Sequence, residues 1–283
     1  MTRFPCRRTT LLATFCAALL AGCAYLPAAR MPFDSAPLQD IDRAIAADIG
    51  ARKLPGAIYH LERAGTVYQK PFGQFTYEPG SAMVTPSTVF DAASLTKVLA
   101  TAPSVLLLAE QGKLALDAPL ARYFPDCVGG GKEAITVRQL LTHTSGLPAG
   151  LPAKPDWRGG AAAHTLACAQ AVTHAPGTFF RYSDINYILL GQLVERVSGM
   201  PLEHYAQERL FRRLGMRNTG YLPLARMPAG AIAPTQRAPG AEGDAALHGD
   251  LAPAELLQGV VHDPTVRRMG GVAGSAGVFT TVG

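Results

Sequence analysis

Ser94 and Lys97 are the residues of this sequence whose types and spacing most directly suggest covalent chemistry. Because they are three positions apart at the start of a predicted helix, both side chains lie on one face of it. A serine hydroxyl is a poor nucleophile until a neighbouring group takes its proton, and a lysine held among apolar residues can lose enough charge to act as that base. By itself the spacing is a weak signal, because its ordinary interpretation is a solvated serine beside a surface lysine.

The segment around this pair narrows the interpretation. Residues 88–97 read TVFDAASLTK, which resembles the nucleophile motif of the serine β-lactamase and penicillin-binding-protein family, particularly its class C and esterase-like branch. The resemblance implies a serine hydrolase that forms an acyl-enzyme at Ser94, with Lys97 as its activating partner. It also implies a mixed α/β fold of the β-lactamase and DD-peptidase kind, in which an antiparallel sheet is flanked by helices and accompanied by a helical region. The substrates expected by resemblance are β-lactams, D-Ala-type cell-wall peptides or small esters.

A second motif, Tyr182-Ser183-Asp184, resembles the Tyr-x-Asn element of the same family. By resemblance, the Tyr182 hydroxyl projects between Ser94 and Lys97, where it can serve as base for the attack and acid for the leaving group. The alternative for Tyr182 is a buried tyrosine that is hydrogen-bonded to backbone.

Asp184 stands where the family usually has asparagine, and we expect it to belong to the substrate-binding part of the site. If its carboxylate faces the site, it favours a charged Lys97 and moves the general-base role toward Tyr182. The alternative is that Ser183 or Asp184 only caps the helix that follows.

Further segments support the family more than the mechanism. Residues 140–148 and 259–279 resemble other family segments, and Ser275 stands where relatives commonly carry histidine. His143 and Ser145 suggest a serine–histidine pair, but no acid follows to orient the histidine, so a structural loop is favoured.

The family's third motif, a Lys-Thr-Gly or His-x-Gly triad on a strand, has no convincing counterpart before Gly283. We therefore expect the C-terminal strands and helix of the fold to be missing from these residues. Because that strand supplies an oxyanion-hole donor, the alternative function is a non-catalytic envelope lipoprotein, either a pseudoenzyme or a fragment, that binds peptidoglycan-like ligands.

The N-terminus predicts export. Arg3, Arg7 and Arg8 precede an apolar run at residues 11–20 that is too short for a permanent membrane span, so residues 1–22 are predicted to be a signal peptide.

Leu20-Ala21-Gly22-Cys23 resembles the bacterial lipoprotein box, which implies a lipid on Cys23. Residues 23–37 are then the lipidated N-terminus and tether, and residues 38–283 the hydrolase domain. Ala24 after the cysteine resembles lipoproteins of the outer membrane, on the periplasmic side of the envelope. The alternative is an ordinary secretory leader in which Cys23 is incidental.

The composition argues against nucleic-acid and metal binding, and it leaves open whether the two remaining cysteines form a disulfide. With 48% hydrophobic residues the chain can bury a large core. Three of its five net positive charges are arginines of the leader, so the rest of the chain does not have the excess of positive charge that nucleic-acid binding requires. We expect a small-molecule or peptide substrate, no cofactor and no metal, because the pairs around His248 and His262 lack metal-ligand spacing. In an oxidising periplasm Cys127 and Cys168 either pair or stay as buried thiols.

Several elements that must position the site can be predicted from periodicity and capping signals. The predictions are a helix from Leu38 to Gly50, a hairpin of strands 57–62 and 66–75, an apolar core helix from Ser94 to Gln111, a capping box of Thr136 with Gln139, a helix from Ser183 or Asp184 to Gly199, and a helix with Pro201 at its first position. The final segment, residues 270–283, has no obvious strand partner.

Overall fold

The computed structural model describes residues 33–236 and 256–283. The strands are β1 (Gly56–Arg63), β2 (Thr66–Gly73), β3 (Phe90–Asp91) and β4 (Phe279–Thr280). The helices are α1 (Ser35–Gly50), α2 (Ala102–Glu110), α3 (Val137–Leu141), α4 (Gly160–Ala169), α5 (Asp184–Ser198), α6 (Leu202–Ala206) and α7 (Pro264–Arg268). This arrangement confirms the predicted α/β class with antiparallel strands and helices, although the strands form two separate two-stranded sheets, β1–β2 and β3–β4.

The N-terminal helix and hairpin agree with the sequence prediction. α1 ends at Gly50 as predicted, but it begins at Ser35, inside the stretch predicted to be a tether. β1 and β2 pair antiparallel with Arg63 opposite Thr66, and Ala64 and Gly65 between them both have positive φ, 48° and 73°. A two-residue turn of this kind matches the twist of the strands that it joins.

Helix α5 is the centre of the hydrophobic core. It packs against α2, α3, α4 and α6, and Ile185, Leu189 and Leu193 along it are fully buried. Its start faces the site and its end is closed by Gly199 in the left-handed conformation, as predicted. The core therefore fixes the position of the first turn of α5, where Asp184 lies.

The helix predicted from Ser94 to Gln111 is less regular than its pattern indicates. A 3₁₀ turn over Ala93–Leu95 and a π-helical turn over Lys97–Thr101 precede α2. By composition Ala93–Glu110 is apolar enough to cross a membrane, yet Val105 and Leu108 within it are fully buried in the core.

The prediction that this whole helix lies in the core is wrong for Leu106, which is 50% exposed, and for Leu95 and Val98. Leu95 and Val98 are 59% and 60% exposed, because they lie on the open side of the helix, beside Ser94. Hydrophobic periodicity alone does not distinguish a core face from the apolar wall of a pocket.

The final segment has a partner, contrary to expectation. β4 pairs antiparallel with β3, with Phe279 opposite Asp91, and Gly220 also bridges to Phe279. The two strands are two residues long, which is too short for strand periodicity to reveal them.

The capping predictions are partly confirmed. The capping box of Thr136 with Gln139 is present. Ser183 precedes α5, but its hydroxyl donates to the Pro148 carbonyl and makes no cap, so the predicted side-chain cap is wrong. Pro201 is the residue before α6 rather than its first residue.

Cys127 and Cys168 form a disulfide, which decides the alternative that the sequence left open. Closing a loop of 41 residues stabilises a fold by about 2–4 kcal/mol through the unfolded chain. Asp126 and His164 lie near the Cys168 sulfur, but a disulfide sulfur is not a thiolate ligand, so this cluster does not contradict the expectation of no metal.

Candidate active site

The turn that carries Ser94 follows β3 directly. Asp91 ends the strand, and its carboxylate accepts a hydrogen bond from the Ala93 N–H at 2.8 Å. Ala93 has φ of 45°, a left-handed conformation that non-glycine residues adopt rarely. After this turn the Ser94 side chain is exposed while Lys97 turns inward.

Lys97 is buried, with 3% of its surface exposed, and its ammonium meets three oxygen atoms. Its Nζ lies 3.1 Å from Ser94 Oγ, 2.8 Å from the Ser275 carbonyl oxygen and 2.7 Å from Asp184 Oδ1. An ammonium has three N–H donors, so these contacts satisfy the charged form of Lys97. The structure thus brings together Ser94, Lys97 and Asp184.

Tyr182 lies beside this cluster and presents its ring to it. The ring centroid is 4.9 Å from Lys97 Nζ and 4.5 Å from the His143 ring centroid, and the side chain is 47% exposed. Within the described part of the chain, the Tyr182 hydroxyl makes no hydrogen bond to Ser94 or Lys97. The contact with Lys97 is therefore of the cation–π type.

Tyr187, which the sequence motifs did not single out, lies on the inner side of the cluster of Ser94, Lys97 and Asp184. Its ring centroid is 5.7 Å from Lys97 Nζ, and its hydroxyl donates to the Leu141 carbonyl. Burial, with a smaller contribution from Tyr182, raises the pKa of Tyr187, which keeps this phenol a neutral donor. Tyr187 lies three residues after Asp184 on α5, and this helical spacing is the signal that could have found it.

The segment before β4 lies along the inner side of the helix that carries Lys97. The Thr101 hydroxyl donates to the Gly274 carbonyl at 2.8 Å, and the Val278 N–H donates to Thr96 Oγ1 at 3.0 Å. Ser275 lies between these contacts, and it is its backbone carbonyl that reaches Lys97. Because the contact comes from the backbone, it does not depend on the side chain at position 275.

His143 belongs to the pocket wall, although the sequence favoured only a structural loop around it. The Ser183 N–H donates to its Nδ1 at 3.1 Å, so this nitrogen is the unprotonated one. Burial, and then the charge of Lys97, lower the pKa of His143. Ser145 is not in the pocket lining, because its hydroxyl is buried and donates to Asn186 Oδ1 at 2.7 Å.

These residues line an open cavity of about 500 Å³. Its walls are mostly apolar, with the Ser94 hydroxyl and the Lys97 ammonium as polar groups, and its lining is Ala92, Ala93, Ser94, Leu95, Lys97, Val98, His143, Tyr182 and Tyr187. A pocket with few polar groups among apolar walls is typical of sites for small molecules. Cys23, His248 and Asp250 lie outside the described residues.

Comparison with known proteins matches residues 41–283 to the family model described as Beta-lactamase. A relative from Escherichia coli K12, provisionally named D-alanyl-D-alanine carboxypeptidase, is 33% identical over 77% of this chain and 55% of its own length. This chain therefore spans little more than half of that relative.

Solved structures give the same result for the fold. A penicillin-binding protein homologue from Pyrococcus abyssi is 25% identical with a TM-score of 0.66, covering 87% of this chain and 54% of its own. A class C β-lactamase from Rhodobacter sphaeroides is 22% identical with a TM-score of 0.63, covering 85% and 61%.

The low pKa of His143 predicts acid sensitivity of the fold. A histidine in the unfolded chain takes up a proton near pH 6.5, whereas the lowered pKa of His143 keeps its ring neutral to lower pH in the folded protein. Protonation therefore favours the unfolded chain below pH 6.5. The contribution of the neutral His143 to the free energy of unfolding is present above pH 6.5 and is lost as the pH falls toward the folded pKa. His143→Gln keeps an acceptor without this titration, so the free energy of unfolding should depend less on pH below 6.5. Urea unfolding between pH 4.5 and 8 measures this, with the exposed His204→Gln as control. Equal pH dependence in His143→Gln and the original protein would contradict it.

Proposed function

Because this chain belongs to the β-lactamase family, we propose that it is a serine hydrolase that forms an acyl-enzyme at Ser94. The proposed substrates are β-lactams, D-Ala-type cell-wall peptides or small esters. The observation that carries the proposal is the contact of 3.1 Å between Lys97 Nζ and Ser94 Oγ at the base of an open pocket.

In the proposed reaction Ser94 Oγ attacks the carbonyl carbon of the substrate and gives up its proton. Lys97 Nζ, which pairs with Asp184 Oδ1 at 2.7 Å, stabilises the negative charge that develops on Ser94. Tyr182, acting as its phenolate, takes the proton from Ser94 Oγ as the new C–O bond forms, and the resulting phenol gives that proton to the leaving group. The Tyr182 ring faces Lys97, so the proposed proton transfer requires the Tyr182 oxygen to approach Ser94 Oγ.

The tetrahedral intermediate needs N–H donors for its oxyanion, and each such donor contributes about 100- to 1,000-fold to the rate. The Ser94 N–H is one candidate, because in the described part of the chain it donates to no backbone carbonyl. Water then attacks the acyl-enzyme, which releases the acid and restores the Ser94 hydroxyl.

Covalent labelling tests this proposal. After incubation with a β-lactam or an activated aryl ester, mass spectrometry should find an adduct on the peptide that contains Ser94. Ser94→Ala should abolish the adduct, and Lys97→Ala should slow its formation at least about 100-fold. Ser87→Ala and Lys113→Ala, at exposed positions outside the pocket, serve as matched controls. A folded chain that forms no adduct would support the alternative of a non-catalytic envelope protein.

The role of Asp184 is tested by Asp184→Asn, which restores the family's usual residue. Because this variant removes the carboxylate that lies 2.7 Å from Lys97 Nζ, the pH profile of acylation should change. Asp117→Asn removes a carboxylate from an exposed ion pair with Arg138 and should leave the profile unchanged. An unchanged profile in Asp184→Asn would argue against the proposed role.

We propose that Cys23 carries a lipid that anchors the protein on the periplasmic side of the envelope, in the outer membrane. The support is the box at residues 20–23 and the leader before it. In a Gram-negative host, Cys23→Ser should abolish labelling of the protein by radioactive palmitate, whereas Cys16→Ser should not. Palmitate labelling that persists in Cys23→Ser would refute the anchor.

A further inference from the structure

Asp91 connects two backbone segments that are far apart in sequence. One carboxylate oxygen accepts the Ala93 N–H at 2.8 Å, and the other accepts the His262 N–H at 2.7 Å. Because both oxygens are engaged by backbone donors, the carboxylate joins the turn that carries Ser94 to the segment that leads into α7.

Ala93, whose N–H donates to Asp91, has a strained backbone conformation. Ala93 has φ of 45°, where its Cβ is crowded by its own backbone, and it directly precedes Ser94. The hydrogen bond to the Ala93 N–H fixes the orientation of the peptide plane before Ala93, and the chain continues from that plane with the left-handed φ. The left-handed residue lets the chain reverse after β3, so that Ser94 lies in the pocket and Lys97 lies behind it.

The other end of the bridge is itself fixed. Arg267 donates to the carbonyl oxygens of Val261 and His262, and Asp263 caps α7 by accepting the Val266 N–H at 2.8 Å. The His262 N–H is therefore presented to Asp91 by a segment that is already held in place.

We propose that Asp91 is a positioning residue for the nucleophile. Its carboxylate holds Ala93 in the left-handed conformation and thereby keeps Ser94 Oγ within reach of Lys97. Asp91 itself does not touch the reacting atoms. The inference rests on the proposed function of Ser94, and it adds a residue that the motif around Ser94 contains without explaining.

A double-mutant cycle distinguishes positioning from general support of the fold. Asp91→Ala should lower kcat for an activated ester by about 10- to 100-fold, with KM changed by less than about threefold, because the nucleophile is misplaced while the pocket remains. Ala93→Gly removes the strain, because glycine adopts positive φ freely, so the double variant Asp91→Ala, Ala93→Gly should have a kcat at least about threefold above that of Asp91→Ala.

The matched control is Asp34→Ala. Asp34 also accepts a backbone N–H with its carboxylate, from Ala36 at 3.0 Å, but at the start of α1. It should leave kcat unchanged. Loss of kcat in Asp91→Ala that glycine at position 93 does not restore, or an unchanged kcat, would overturn the proposal.

Hydrogen exchange supplies a readout that does not depend on activity. Asp91→Ala should accelerate exchange of the Ala93 and His262 amides, while the Val278 amide, bonded to Thr96, should be affected less. Unchanged exchange at Ala93 would overturn the inference. If the unmodified protein forms no acyl-enzyme, the proposed function fails separately, and hydrogen exchange still decides whether Asp91 holds the turn.

Discussion

The buried ammonium of Lys97 is the constraint on which the arrangement of the site depends. Removing a charge from water is costly unless its donors find partners, and Lys97 finds one oxygen each from Ser94, Ser275 and Asp184. These oxygens come from three separate parts of the chain: the turn after β3, the segment before β4, and the start of α5. Satisfying one charge therefore requires all three to converge at one point.

Close backbone packing makes this convergence possible. A Cβ at Gly274 would lie 2.0 Å from the Tyr187 carbonyl oxygen, and a Cβ at Gly191 would lie 2.8 Å from the Gly274 nitrogen. Only glycine at these positions lets the segment before β4 lie directly against α5. From there it meets Thr101 and Lys97 with its carbonyl oxygens, so the same contact that completes the core also supplies a partner for the site.

Much of the local structure could be predicted from the sequence because its causes are local. The end of α1 at Gly50, the hairpin turn at Ala64 and Gly65, and the capping box of Thr136 with Gln139 each depend on residues a few positions apart. The pairing of β3 with β4 could not be predicted in this way, because two-residue strands carry no periodicity. The exposure of Leu95 and Val98 was missed because an apolar residue that lines a pocket has the same pattern as one in the core.

The sequence by itself determined the family motif and the proximity of Ser94 and Lys97, since a spacing of three residues along helical turns brings their side chains together. Only the tertiary structure decided that Asp184 pairs with Lys97 instead of capping α5, that Cys127 and Cys168 are bonded, and which far segment Asp91 holds. The Lys97 contact with the Ser275 carbonyl joins residues 178 positions apart, and the Asp91 contact with His262 joins residues 171 apart. No local rule relates such positions, because their proximity follows from how the whole core closes around α5.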